Sequence, residues 1–294
     1  MTRKAFVAVT AALLAVLWSG SAAPSQTTTD GVAVTHDITY RTVGDEPLVL
    51  DAYVPTAKTT KRPVVLLVHG GGWRGGDKSN FTAEGNKLAQ LGYVAFSVNY
   101  RLAPQHPYPA AVDDVLAAVR WVREPQQVKV YKLDPKRVGA LGASAGGHLV
   151  GMLATLGRGS LTHGARIKGA VSWSGPMDFH LWPLASPDSF ELGNAVTEFL
   201  DCTDDPSCPN ASKASPITHV DPTDAPMLLA NSSAELISVE HATHMDAALR
   251  AAGVPSQLVI FPGDRHAQFF GEDVWPQTVA FLGKYVGKPP TPRG

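Results

Sequence analysis

The chain has 294 residues, 44% of them hydrophobic, which is ample for one large core. It carries 25 Lys and Arg against 26 Asp and Glu, a formal net charge of −1. With no basic block and no aromatic–basic interleaving, this balance excludes a nucleic-acid footprint. In chain order, residues 1–23 read first as a secretory signal peptide. Arg3 and Lys4 precede an apolar run over 5–18, and Ser21-Ala22-Ala23 fits a small-x-small cleavage site. The run is short of a bilayer span, so no stable membrane anchor is expected and the protein is predicted to be secreted. Cleavage near Ala23 removes two basic and no acidic residues, leaving a net charge of −3.

Residues 24–33 are predicted to be a disordered polar leader. A single domain then spans 34–288, and 289–294 form a flexible tail. Alternating stretches at 34–40 and 48–54 predict half-buried antiparallel strands. Continuous apolar runs at 63–68, 93–98, 137–141, 167–173, 226–230 and 257–261 predict strands buried on both faces of a parallel sheet. Helical patterns lie between them at 80–91, 110–122 and 239–252, where Val239, Ala242, Met245 and Leu249 share a face. A last helix is predicted over 276–286. Strands alternating with helices give an α/β fold, a mostly parallel central sheet flanked by helices, with the two leading strands as its antiparallel edge.

Residues 176–222 run longer than a normal connection and are read as an insertion over the active-site end of the sheet. Within it, Cys202 and Cys208 are expected to form a disulfide in an exported chain. The nearby Asp201, Asp204 and Asp205 lack EF-hand spacing and read as a solvated acidic loop, so no metal site is predicted.

The chemistry centres on Gly142-Ala143-Ser144-Ala145-Gly146. A strand precedes it and a helix-like run follows, the context in which a Ser at the tip of a sharp turn acts as a nucleophile. His69-Gly70-Gly71-Gly72-Trp73 follows the buried strand 63–68. Glycines there allow backbone N–H groups to approach the oxygen that becomes negative during acyl transfer. The expected oxyanion donors are Gly71, Gly72 and Ala145.

Of the ten histidines, His266 alone follows the last buried strand and precedes the final helix, so it is the predicted base. His69 is expected to order the glycine turn, and His148 to be structural. The acid must follow the strand 226–230 to keep the order Ser, acid, His. That turn contains no Asp; Glu235 is the candidate, with Glu240 second, while Asp264 is read as shaping the turn before His266.

Four segments carry a resemblance: His69-Gly70-Gly71-Gly72-Trp73, Asn99-Tyr100-Arg101-Leu102-Ala103-Pro104, Pro109-Ala110-Ala111-Val112-Asp113-Asp114 and Gly142-Ala143-Ser144-Ala145-Gly146-Gly147-His148-Leu149. In this order they resemble the α/β-hydrolase-fold carboxylesterases over about residues 35–285. The nearest groups are the hormone-sensitive-lipase-like and the feruloyl and acetyl-xylan-esterase-like (BD-FAE) ones. The resemblance implies hydrolysis of carboxylic esters with no metal and no cofactor. It implies a structural role for Arg101 with Asp113 or Asp114, tying a strand end to a helix. The acid turn departs from the pattern: many members have His-Gly-x-x-Asp where this chain has Asn231-Ser232-Ser233-Ala234-Glu235.

The expected substrate is a small ester or an ester-substituted polymer such as a polysaccharide or polyester, with Trp73 and Trp182 lining the cleft. A prolyl-oligopeptidase-type serine peptidase uses the same triad, but such enzymes carry a large gating domain for which this chain has no room. A non-catalytic binding module of this fold typically loses a triad residue, and all three are present here.

Overall fold

A computed structural model describes residues 26–59, 61–181, 190–202 and 208–290. The predicted signal peptide, Trp182, Asp204, Asp205 and residues 291–294 of the predicted tail lie outside the described residues.

The first three strands are β1 (Gln26–Thr29), β2 (Val32–Val43) and β3 (Glu46–Pro55), followed by β4 (Arg62–Val68). Helix α1 (Thr82–Gln90) leads to β5 (Val94–Val98), and α2 (Ala110–Val122) and α3 (Pro125–Tyr131) lead to β6 (Leu133–Ala143). Then come α4 (Ala145–Thr155) and β7 (Ala170–Trp173), and two helices of the long insertion, α5 (Phe190–Leu200) and α6 (Pro209–Ala214). The chain closes with β8 (Met227–Ser232), α7 (Val239–Ala251), β9 (Ser256–Phe261) and α8 (Gly271–Leu282).

Among the described residues, these nine strands form one sheet in the order β1-β2-β3-β5-β4-β6-β7-β8-β9. The pairs from β5 through β9 are parallel, and β1, β2 and β3 make the antiparallel edge. Every residue of β4 is buried because helices cover both faces of the sheet. Val64, Leu66 and Val68 point into one core, shared with α2, α4 and α7; Val65 and Leu67 point into the other, shared with α1 and α8. This period of two places helices on both sides, so the C-terminal ends of the parallel strands converge on one edge, where clefts of such folds form.

Two expectations are corrected, and one helix lies where none is predicted. The stretch read as a disordered leader is partly ordered: Gln26–Thr29 pairs with Thr35–Val32, and Val32 is fully buried. Its run of Thr has a high strand propensity and completes an edge. Helix α3 was not anticipated, because it has no buried residue and so no apolar stripe. The last helix starts at Gly271 rather than at Pro276, since burial of Val274 holds the earlier turn despite the proline inside it.

Elsewhere the ties are as expected. Arg101 donates through Nε to Asp114 Oδ2 (2.8 Å) and through Nη2 to Oδ1 (2.9 Å), with Asp114 rather than Asp113 as its partner. Cys202 and Cys208 form a disulfide with Cα atoms 5.9 Å apart. Among the described residues, no helix is long and apolar enough to cross a membrane.

Candidate active site

The site is built from the ends of five neighbouring strands, β4, β6, β7, β8 and β9. β6 ends at Ala143, and Ser144 makes the turn into α4 with φ +54° and ψ −123°. A residue with a β-carbon pays of order 1–3 kcal/mol for such a conformation, so the surroundings must enforce it. They do so from two sides. The Ser144 N–H donates to the Trp173 carbonyl at the end of β7 (2.7 Å), and the Ser144 carbonyl accepts from His148 N–H (3.0 Å) in the first turn of α4. A β-carbon on Gly146 would collide with the Val68 carbonyl oxygen, so only glycine lets α4 start this close to β4. Ala145 is the first residue of α4, and its N–H has no partner within the helix.

The glycine turn after β4 lies against this elbow. A β-carbon on Gly70 would sit 2.9 Å from the Ala143 carbonyl oxygen and 3.1 Å from Ser144 Cβ. Gly71 (φ +117°), Gly72 (φ +58°) and Trp73 (φ +57°) are three consecutive left-handed residues. Gly71 turns its carbonyl away to accept from the N–H groups of Arg74 and Gly75, both at 3.1 Å. His69 orders the turn, as expected: its ring stacks on Tyr100 at 4.3 Å, and its carbonyl accepts from the Tyr100 hydroxyl at 2.9 Å.

Glu235 and His266 meet at the ends of β8 and β9. Glu235 Oε2 is hydrogen-bonded to His266 Nδ1. With Nδ1 facing a carboxylate, the neutral imidazole carries its proton there and leaves Nε2 as the acceptor. The other carboxylate oxygen, Oε1, accepts from the Ser174 hydroxyl and from the Ser232 N–H, each at 2.7 Å. The Glu235 side chain is fully buried, while His266 keeps 23% of its side chain exposed. Glu240 is exposed in the first turn of α7 and takes no part in this arrangement.

Sequence reasoning missed Ser174. It lies one residue past β7 with φ +53°, and its N–H donates to the Ala230 carbonyl (2.8 Å). Its hydroxyl also accepts from the N–H of Ala267, the residue after His266 (2.9 Å). Ser174 therefore joins the acid turn and the base loop, and its neighbour Trp173 holds Ser144. The available signal was its place at the C-terminal end of a parallel strand.

Trp73 is corrected as a cleft residue. Only 1% of it is exposed, and it is enclosed by His148, Phe179 and Phe199. An indole this large is more valuable as core than as an open wall, and the turn points it inward.

The BD-FAE family matches residues 50–249. Carboxylesterase NlhH of Mycobacterium tuberculosis is 40% identical over 126 residues, covering 41% of this chain and 39% of that protein. The chain thus spans about two fifths of the length of that relative. An esterase from Thermogutta terrifontis solved with propionate bound superposes with a TM-score of 0.72 at 24% identity, over 90% of this chain and 97% of the other. A truncated carbohydrate esterase from gut microbiota gives 0.74 at 21% identity, over 89% and 99%. With the family match covering more than half of the residues, this chain belongs to the BD-FAE family, on an α/β-hydrolase fold.

Proposed function

We propose that this protein is a secreted serine esterase that hydrolyses carboxylic esters through Ser144, His266 and Glu235. One observation carries the reading: a strained Ser144 sits against a glycine turn, on the sheet edge where a buried Glu235 holds His266 by Nδ1. In the proposed cycle, His266 Nε2 takes the Ser144 proton as the serine oxygen attacks the ester carbonyl. Backbone N–H groups of Gly71, Gly72 and Ala145 receive the developing oxyanion. The alcohol leaves with the proton from His266, and water releases the acid from the acyl-enzyme by the same route in reverse.

The similarity to NlhH, a carboxylesterase, supports an ester as the substrate. The disulfide supports export, since such bonds persist in oxidising compartments. Ser144→Ala is expected to lower kcat/KM for nitrophenyl acetate by roughly 10⁴-fold or more; activity near that of the wild type would overturn the reading. Glu235→Gln is expected to cost far more than Glu240→Gln, and the reverse order would move the acid. A panel from nitrophenyl acetate to palmitate, with acetylated xylan and methyl ferulate, ranks the acyl and alcohol groups accepted.

A further inference from the structure

Helix α5 of the insertion lies directly on the glycine turn. A β-carbon on Gly72 would stand 3.3 Å from Ala195 Cβ, Arg74 Nε pairs with Glu198 Oε2 at 2.9 Å, and the Trp73 ring stacks on Phe199 at 4.6 Å. At the centre of this contact is a histidine that the proposed chemistry does not use. His148, on α4, is completely buried. Its Nδ1 faces the indole Nε1 of Trp73 at 3.1 Å, and its Nε2 faces the Ala214 carbonyl at 2.7 Å. An indole N–H only donates and a carbonyl only accepts, so one tautomer satisfies both: Nδ1 bare, Nε2 protonated. Burial pushes this imidazole down to about 4, which keeps it neutral at ordinary pH. The ring thereby spans three parts of the fold: the helix that follows Ser144, the turn that follows β4, and the end of α6 in the insertion.

We infer that His148 is a positioning residue for the oxyanion turn, fixing the Trp73 indole and, through it, the left-handed Gly71-Gly72 backbone beneath α5. Trp73 has little freedom otherwise. It holds a positive φ without being glycine, and its carbonyl accepts from Ala103 N–H at 2.8 Å. When the indole loses its acceptor, a buried N–H is left unpaired and the ring shifts to find another partner. A shift of the ring pulls on the two glycines ahead of it, against the hold of the Arg74 and Gly75 N–H groups on the Gly71 carbonyl. The inference rests on the reading of Gly71 and Gly72 as oxyanion donors.

The test measures kcat per competent site, counted by active-site titration with an organophosphate, for nitrophenyl acetate. His148→Phe keeps an aromatic ring but neither hydrogen bond; His148→Gln can restore an acceptor and a donor. His148→Phe is expected to lower kcat per site by roughly 10- to 100-fold with KM within about threefold, the scale of a catalytic group misplaced by about an ångström. His148→Gln recovers most of the loss. Trp73→Phe keeps the stacking on Phe199 but removes the indole N–H. It is expected to lower kcat in the same way and to add little to His148→Phe in the double variant. Should His148→Phe fail to fold, Trp73→Phe with His148→Gln decides the matter. Unchanged kcat per site in Trp73→Phe, or in a folded His148→Phe that has only lost thermal stability, overturns the inference. Ser144→Ala runs alongside: an active Ser144→Ala sinks the esterase mechanism itself, whereas an inactive one with unaltered Trp73→Phe sinks only the role of His148.

Discussion

Glu235 is a carboxylate with no solvent, and a buried charge is tolerated only when its oxygens are well paired. His266, Ser174 and the Ser232 N–H supply that pairing. A hydrogen bond to a charged group is worth roughly 1.5–3 kcal/mol, and about 1.4 kcal/mol is tenfold in rate. Ser174→Ala should therefore lower kcat by roughly tenfold with little change in KM, and an unchanged kcat would separate Ser174 from the site. Glu235 was legible as the candidate acid because chain order and distance after a strand restrict where such a residue can lie. Ser174 was not, because its partners Glu235 and Ala267 lie 61 and 93 residues away and only the fold brings them together.

A second residue-scale property is acid sensitivity. Burial pushes both His148 and His241 down to about 4, with His241 Nδ1 accepting from the N–H groups of Met177 and Asp178, each at 3.2 Å. A histidine with a lowered pKa is neutral in the fold but takes up a proton readily when unfolded. The unfolded state thus binds more protons between about pH 6.5 and 4. Stability is full above that window and falls as pH drops through it. His148 alone contributes roughly 2 kcal/mol to the loss between pH 7 and 5. Urea unfolding at the two pH values should show a smaller drop for His148→Gln than for the wild type by about that amount. Parallel drops would mean that the ring is protonated in the fold.

At the scale of elements, the insertion is held both by apolar packing of Val196, Phe199 and Leu200 and by a covalent tie. Its helices α5 and α6 are tied where they meet: Cys202 is bonded to Cys208, Cys202 N–H donates to Thr197 O (3.0 Å), and the Asn210 amide donates to Leu200 O (2.8 Å). Closing so short a loop is worth roughly 2 kcal/mol. Replacing both cysteines by serine is expected to lower Tm by roughly 5 °C; no change in a calorimetric scan would mean that the other contacts suffice. The parallel strands were readable because each is a continuous apolar run that helices cover on both faces. The internal structure of the insertion was not, because α6 is only six residues long and the apolar face of α5, with Ala195, Val196, Phe199 and Leu200, does not say which surface it covers. Strand β1 was hidden for a related reason: a polar Thr run looks like a leader until β2 offers it an edge.

For the whole molecule, the sheet order decides where the candidate site residues meet. The central strands β4 and β6 end beside each other, so a glycine turn from one and a serine elbow from the other touch. β8 and β9 end one and two strands beyond β7, so their loops bring Glu235 and His266 together at the same edge. Asp114 locks the opposite flank, taking Arg41 from β2 (2.7 Å) and Arg101 after β5. This layout was legible from the alternation of strands and helices together with the order of the motifs, since right-handed crossovers leave few alternatives. The docking of α5 on the glycine turn was not, since no local pattern encodes which surface an insertion covers. The most direct measurement is peptide mapping by mass spectrometry after inactivation with an organophosphate. One adduct per chain, on Ser144, with esterase activity lost in proportion, is the predicted result. Inactivation with Ser144 unmodified, or with the adduct on another residue, would contradict the assignment of Ser144 as the nucleophile.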